Sequence, residues 1–547
     1  MTRYRNILAI FILVSSCATS SYDRIHREDR APGHYQVNIP MADGTHLNTD
    51  VFIPRSRKKV PAVLVRTPYN KSAESWIGKA FGLFKIAVVV QDVRGKFGSE
   101  GEFYPFVNER DDGFCTLKWI RDQPWSNGVI GGWGASYLGY TQWAVSDSLD
   151  FLVPLLTGAN IYEFVYPNGV FSLLSAFSWG ILNDSQKLNS VPAEKIADGM
   201  HILPLAVADD STLHDVRFLT DWMVHESEDK YWDQMNHRGI TTSPVLSIAG
   251  WYDIFLKAQI NDFQALQVNG NPESRMIIGP WSHGTPAFEN DYGGTRKTGN
   301  PRKAFLYSVR ALKGKKNKLG SPFRDARYNL FIMERNEYVG SETWPPEETR
   351  MVHWYLGPDK SLQPEESKEQ GRLSYIYDPS DPYPGLGGTA LGESVGAALQ
   401  NPNAERKDQL VFETGILEEP MILLGNISAT LWLSSDAPCT GFVISVQDVF
   451  PDGRIINVQE GAANVRFEGE SQEKKEIPVW ATGYQINPGH RLRVVITSGW
   501  FPRFNRNLNG CEPVYSAREM KTANQIVHYG GNTPSRINLP VYRIKGK

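Results

Sequence analysis

Two rhythms of apolar and polar residues divide this chain. Up to about residue 320, short apolar runs alternate with helical patterns. Val60–Val65 and Ile86–Val90 are continuous apolar runs, as expected of strands buried on both faces. Phe151–Leu156, Pro244–Ile248 and Met276–Ile278 are shorter runs of the same kind. Asp111–Arg121 carries Phe114, Leu117 and Ile120 at helical spacing, with acids in its first turn. Ahead of these, Tyr35–Ile39 and Leu47–Phe52 alternate with period two around Asp43-Gly44, which predicts a hairpin. The strand–helix alternation predicts an α/β domain with a mostly parallel sheet covered on both faces. Residues 161–240 interrupt it. They are rich in Trp, Phe, Leu and helix formers and contain no buried β run. They read as a helical insertion, which in such sheets lies over the mouth where loops converge.

From about Arg327 the rhythm shortens. Asn329–Met333, Ala429–Ser434, Phe442–Val449, Ile455–Val458 and Arg491–Thr497 alternate between Gly, Pro and Asp turns. This pattern predicts a β sandwich or jelly roll. The expected division is an α/β domain over 32–160 and 241–320, a helical cap over 161–240, and a β domain over 327–547.

Composition changes this picture little. The 547 residues are 41% hydrophobic, enough for several cores. A formal net charge of -3 and the lack of a long Lys/Arg run exclude a nucleic-acid partner as the reading. The N-terminus does change it. Arg3 and Arg5 precede an apolar run from Ile7 to Val14, too short to span a bilayer but suited to export. The run ends Val14-Ser15-Ser16-Cys17, which resembles the bacterial lipobox. That resemblance implies a signal segment over 1–17 and lipid on Cys17. The alternative is a plain signal peptide cut a few residues later. Of the other cysteines, Cys115 suits a small buried hydrophobe, and the sequence leaves open whether Cys439 and Cys511 pair. No Cys/His spacing resembles a zinc site, and no metal or cofactor is expected.

The candidate chemistry centres on Gly131–Gly139, where Val129 and Ile130 lead into a Gly-rich turn with Ser136 at its apex. A serine on such a strand-to-helix elbow projects its hydroxyl above the sheet. The common pentapeptide G-x-S-x-G is missed, because Leu138 fills the last position and the glycine follows at Gly139. By itself the stretch fits a nucleophile or an ordinary Gly-rich loop. A serine nucleophile needs a base and an orienting acid, and α/β sheets of this type supply them in the order Ser, acid, His. Asp253 ends the apolar run from Val245, and His283 follows the run ending at Ile278. Both fall at strand C-terminal ends, where open α/β sheets place their sites. Asp253 alone would also read as a helix N-cap and His283 as a turn residue.

These residues sit in stretches that resemble the cocaine-esterase-like serine hydrolases. That family is related to the Xaa-Pro dipeptidyl-peptidases, the α-amino-acid ester hydrolases and the glutaryl-cephalosporanate acylases. The matching stretches are Thr67-Pro68-Tyr69, Gln91–Gly95, Gln123-Pro124-Trp125, Gly134–Gly139, Gly250–Asp253 and Gly279–His283. In the β domain they are Tyr377-Asp378-Pro379, Ser435-Asp436-Ala437, Val449–Gly453 and Phe501–Phe504. The resemblance implies an α/β-hydrolase fold with a helical cap and a C-terminal jelly roll. It implies Ser136 as nucleophile, His283 as base and Asp253 as orienting acid. It implies an oxyanion hole made by the Tyr69 hydroxyl and the Tyr137 backbone N–H. Asp92 and Arg94 are expected to pin loops beneath the elbow, and Trp251 and Trp281 to form walls. The related α-amino-acid ester hydrolases carry acids two and three residues beyond the orienting Asp, which bind a substrate ammonium. Here Phe255 and Leu256 occupy those positions, so an uncharged acyl group is expected, with approach of an Asp or Glu from the insertion as the alternative.

The expected function is an exported, lipid-anchored serine hydrolase that cleaves a small ester, amide or short-peptide substrate through an acyl-enzyme. It touches a membrane only through the anchor. Two rivals stand beside it: a proline-specific dipeptidyl-peptidase, and a catalytically silent cell-surface binding protein.

Overall fold

A computed structural model describes residues 33–184, 191–268, 272–286, 301–315, 319–469 and 471–544. Cys17 lies outside them. In chain order the first sheet takes β1 (His34–Pro40), β2 (His46–Phe52), β3 (Val60–Thr67), β4 (Ala87–Asp92), β5 (Ser126–Gly132) and β6 (Gly134–Ala135). It continues with β7 (Pro154–Leu155), β8 (Leu246–Tyr252), β9 (Arg275–Pro286), β10 (Tyr328–Ile332) and β11 (Glu337–Ser341). β5 and β6 are two parts of one strand broken at Trp133. They join the paired order β1-β2-β4-β3-β5 to the order β6-β7-β8-β9-β10-β11. The pairs from β4 to β10 are parallel, while β1, β2 and β11 run antiparallel at the edges. β3, β4 and β8 are buried along their whole lengths, as their unbroken apolar runs require. The predicted hairpin is β1 and β2, paired from His34–Phe52 to Pro40–His46.

β10 and β11 depart from the expected division. Their alternating pattern reads as part of the β domain, with a boundary at 327. In the structure Tyr328, Asn329 and Leu330 lie parallel beside Met276, Ile277 and Ile278, so the first sheet runs on to Ser341. Period-two alternation is the same for an edge strand of either sheet. Only long-range pairing decides which sheet it joins.

The insertion is helical among its described residues, with Leu173–Asp184 its longest helix. The C-terminal domain is a two-sheet sandwich. One sheet is built on the long pair Met421–Ser435 and Glu473–Ile486, the other on Cys439–Val449 and Ile455–Arg466. Cys439 and Cys511 form a disulfide, which answers the question the sequence left open. Cys115 is a free thiol packed beside Ile39, Met41 and Leu47.

The domains lock together behind the C-terminal end of β8. Trp251 Nε1 donates to Phe331 O at 2.6 Å, Gln459 Nε2 to Trp251 O at 3.0 Å, and Tyr252 Oη to Asn457 O at 3.1 Å. Gly483 is required here, since a Cβ on it would stand 2.7 Å from the Trp251 ring. A short strand of the C-terminal domain, Leu391–Val395, also runs parallel beside the end of β9, pairing Leu391 with His283 and Gly392 with Gly284.

Candidate active site

The chain leaves β6 and turns at once into the helix Tyr137–Ala144. Ser136 stands at the turn with φ 56° and ψ −126°, a conformation that costs free energy for any residue with a side chain. Two glycines make the turn possible. Gly134 has φ +146°, and a Cβ on it would stand 2.4 Å from Leu138 Cβ. A Cβ on Gly139 would stand 2.4 Å from Thr157 Cγ2. The second contact accounts for the displaced glycine of the motif. It is position 139, not 138, that faces the segment following β7, while Leu138 folds back over Gly134.

The structure brings Ser136, His283 and Asp253 together across long sequence separations. His283 Nδ1 lies 2.7 Å from Asp253 Oδ2, and His283 Nε2 lies 3.0 Å from Ser136 Oγ. Asp253 is fully buried, and its other oxygen accepts from Phe255 N at 2.8 Å. A carboxylate at Nδ1 keeps the proton on that nitrogen, so Nε2 is left as the acceptor for the Ser136 hydroxyl.

Tyr69 and Tyr137 contribute in different ways. The Tyr69 hydroxyl accepts from Trp179 Nε1 at 3.0 Å, and Tyr69 and Ser136 line the same cavity. Burial pushes the Tyr69 phenol above its ordinary pKa, opposed by its polar neighbours Trp179 and Ser136, so it is a protonated donor at neutral pH. The Tyr137 side chain points away from this chemistry. Its hydroxyl donates to Glu109 Oε1 at 2.7 Å and accepts from Phe106 N at 2.9 Å. Burial raises the Tyr137 phenol well above its ordinary value. Glu109 is in turn paired with Arg66 at 2.6 Å, both buried. The Tyr137 backbone N–H stands at the first position of the helix, where no intrahelical acceptor exists. Asp92 and Arg94 hold loops, as expected. Asp92 accepts from Lys71 N at 2.6 Å, and Arg94 grips Asp112 at 2.6 and 3.0 Å.

A narrow cavity opens at Ser136 and His283. Its walls are Ile161 and Phe164 from the start of the insertion, Trp179 from Leu173–Asp184, Ile254 and Phe255 after β8, and Leu391 from the C-terminal domain. Phe255 packs edge-on to His283 at 5.5 Å and stacks on Phe164 at 5.0 Å. Among the described residues no Asp or Glu lines the cavity. Leu256, by contrast, is buried outside it. The sequence reading of Trp251 and Trp281 as walls is corrected. Trp251 is committed to the domain interface, and the Trp281 ring lies over Gly279, so neither borders the cavity. Trp179, Leu391 and Phe164 were not foreseen. The only sequence signal for Trp179 was its place in an unusually apolar helix. Leu391 gave none. Among the described residues no group of three or more His, Cys, Asp or Glu could hold a metal ion.

A serine on a strand-to-helix elbow, with a histidine and a buried aspartate from later strands of one parallel sheet, defines the serine hydrolases of α/β-hydrolase fold. The chain belongs to the X-Pro dipeptidyl-peptidase (S15) family: residues 43–285 match that family's model, and residues 323–538 match the X-Pro dipeptidyl-peptidase C-terminal non-catalytic domain. The second match begins ahead of β10 and β11, which complete the first sheet. Cocaine esterase of Rhodococcus sp. (strain MB1 Bresler) is 32% identical over 93% of this chain and 98% of its own. Among solved structures, an aminopeptidase from a marine sediment archaeon of the Thaumarchaeota superposes with a TM-score of 0.80 at 22% identity, covering 94% of this chain and 98% of its own. An α-amino-acid ester hydrolase superposes at 0.77 with 20% identity, covering 94% and 98%. The chain is thus an enzyme of a family of esterases and peptidases.

Proposed function

We propose that this protein hydrolyses an ester of a small, uncharged, apolar acyl group through a Ser136–His283–Asp253 triad. One observation carries the reading: the unbroken line of contacts from buried Asp253 through His283 to Ser136, at 2.7 and 3.0 Å, opening into an apolar cavity. His283 takes the Ser136 proton as Oγ attacks the acyl carbonyl. Asp253 stabilises the imidazolium that forms. The tetrahedral oxyanion is met by the Tyr69 hydroxyl and the Tyr137 N–H. His283 then gives its proton to the departing alkoxide, leaving an acyl group on Ser136. Water, deprotonated by His283, attacks that acyl-enzyme and restores the serine.

An uncharged acyl group is favoured because the described residues of the cavity wall are apolar or aromatic and include no carboxylate to offset the desolvation of an ammonium. The same fact weighs against a dipeptidyl-peptidase, whose substrate brings a free N-terminal amine beside the scissile bond. The name of the Rhodococcus relative favours ester over amide. The formed hydrogen-bond line weighs against a silent binding protein. A fluorophosphonate probe tests all three readings together with a panel of p-nitrophenyl esters, acyl amides and Xaa-Pro anilides. Labelling lost in Ser136→Ala, with turnover confined to uncharged esters, is the expected result. Folded protein that takes up no probe would leave the binding reading, and preferential release of Xaa-Pro would leave the peptidase.

We further propose export and anchoring through lipid on Cys17. The Cys439–Cys511 disulfide supports an oxidising compartment. Among the described residues no helix is long and apolar enough to cross a membrane. Cys17→Ser should shift the protein from the membrane fraction to the soluble one. Unchanged fractionation would end the proposal.

A further inference from the structure

The helix Leu173–Asp184 does more than cover the cavity. Ser175, Trp179 and Asn183 are spaced four apart, so they share one face. Two of them are tied to the site itself and the third to the loop after β4. Ser175 Oγ accepts from Leu391 N at 3.2 Å, fixing the wall residue that the C-terminal domain lends. Trp179 Nε1 donates to the Tyr69 hydroxyl at 3.0 Å. The Asn183 carbonyl accepts from buried Lys96 Nζ at 2.6 Å, and the Asn183 amide donates back to Trp179 O at 2.8 Å. Near the other end, Leu174 N donates to Pro502 O at 2.9 Å. The Trp179 ring is stacked on Phe106 at 5.3 Å and on Tyr137 at 5.9 Å. The helix is therefore held at both ends, and the indole has little freedom between them.

The direction of the Trp179–Tyr69 bond is fixed by chemistry. An indole N–H can only donate, so the Tyr69 oxygen must accept. The Tyr69 proton is then barred from Trp179 and turned toward Ser136, where the oxyanion develops. A phenol that already accepts one hydrogen bond is also polarised into a stronger donor of the next.

We infer that Trp179 is a positioning residue for the oxyanion hole, fixing the Tyr69 O–H on the developing charge while its ring forms part of the acyl wall. This rests on the reading of Tyr69 as an oxyanion donor. An acyl group that packs on Trp179 is thereby sensed at the oxyanion, so the contact acts on kcat more than on KM.

A double-mutant cycle on one p-nitrophenyl ester tests it. Trp179→Phe should lower kcat about tenfold, as for loss of one supporting hydrogen bond, with a much smaller change in KM. In a Tyr69→Phe background the same substitution should leave kcat within about twofold, because the hydroxyl it orients is gone. Equal losses in both backgrounds would overturn the inference and leave Tyr69 its role. A silent Tyr69→Phe would overturn the oxyanion reading itself. Phenylalanine is smaller than tryptophan, so site-specific 3-benzothienylalanine at 179 is the control, since it keeps the ring shape and deletes the N–H. It should reproduce the kcat loss, and wild-type kcat in this variant would overturn the inference whatever Trp179→Phe does to folding.

Discussion

The molecule contains the same pair twice. In the α/β domain Asp253 holds His283 at 2.7 Å; in the sandwich Asp448 holds His490 at 2.8 Å. Both aspartates are fully buried and both histidines nearly so. Each contact uses Nδ1 of the ring. Asp448 also accepts from the Tyr484 hydroxyl at 3.0 Å, and the His490 ring lies against Phe450 at 4.4 Å. What separates the pairs is the far side of the ring. His283 Nε2 meets Ser136 Oγ at the cavity, while no serine or other hydrogen-bond partner among the described residues stands at His490 Nε2. A buried Asp–His pair is thus an ordinary way to fix an imidazole. It becomes chemistry only where a strained turn delivers a nucleophile and a pocket delivers a substrate.

The sharpest break between the two is Asp to Asn at each position. Asp253→Asn should cost on the order of 10⁴-fold in kcat, because the carboxylate no longer selects the tautomer or offsets the imidazolium. Asp448→Asn should leave kcat unchanged and lower stability by about 1–3 kcal/mol, through the donors left poorly paired. Comparable kcat losses at both positions would dissolve the distinction. The next effect in size concerns what the His283 side has and the His490 side lacks. On the proposed oxyanion role of its hydroxyl, Tyr69→Phe should cost on the order of 10²-fold, mainly in kcat. An effect confined to KM would make Tyr69 part of the wall alone.

A third histidine extends the comparison and gives the smallest effect. His237 is buried, its Nε2 has no hydrogen-bond partner among the described residues, and its ring packs against Tyr140 at 5.4 Å. Burial pushes its pKa down to about 4, helped by Arg110 and opposed by Asp147. Between the ordinary value of 6.5 and about 4, the unfolded chain binds a proton that the folded chain refuses. Stability is therefore lost as pH falls through that window, by roughly 3 kcal/mol at most from this group. Thermal midpoints at pH 7 and 4.5 should converge in His237→Gln relative to wild type. An undiminished drop would place the acid sensitivity elsewhere.

Much of this was legible in the sequence because it is local or ordered along the chain. Val60–Val65 and Ile86–Val90 read as buried strands and are β3 and β4. Ser136, Asp253 and His283 follow in the order that one parallel sheet imposes, each at the end of an apolar run. The hairpin around Asp43-Gly44 needs only nearest neighbours. What was hidden depends on contacts between distant segments. The partner sheet of Tyr328–Ile332, the bond between Cys439 and Cys511, and the approach of Leu391 to His283 leave no mark in local periodicity. Trp251 and Trp281 misled because nearness in sequence to Asp253 and His283 does not set the direction of a ring. Trp179 lies far along the chain from Tyr69 yet touches it, since the insertion folds back over the elbow.

The parallel seating of Leu391–Val395 beside His283 has a consequence for how the chain comes to life during translation. By the time His283 has been polymerised, every group of the Asp–His–Ser line exists. The strand that flanks His283 does not, nor does Glu460, whose carboxylate holds Thr389 N at 2.8 Å and pairs with buried Arg503. A nascent chain halted between these points carries the reactive side chains without the edge that seats them. On the proposed function, competence is expected to arrive late, with the last third of synthesis, and a prematurely terminated product to be inert rather than an unregulated hydrolase.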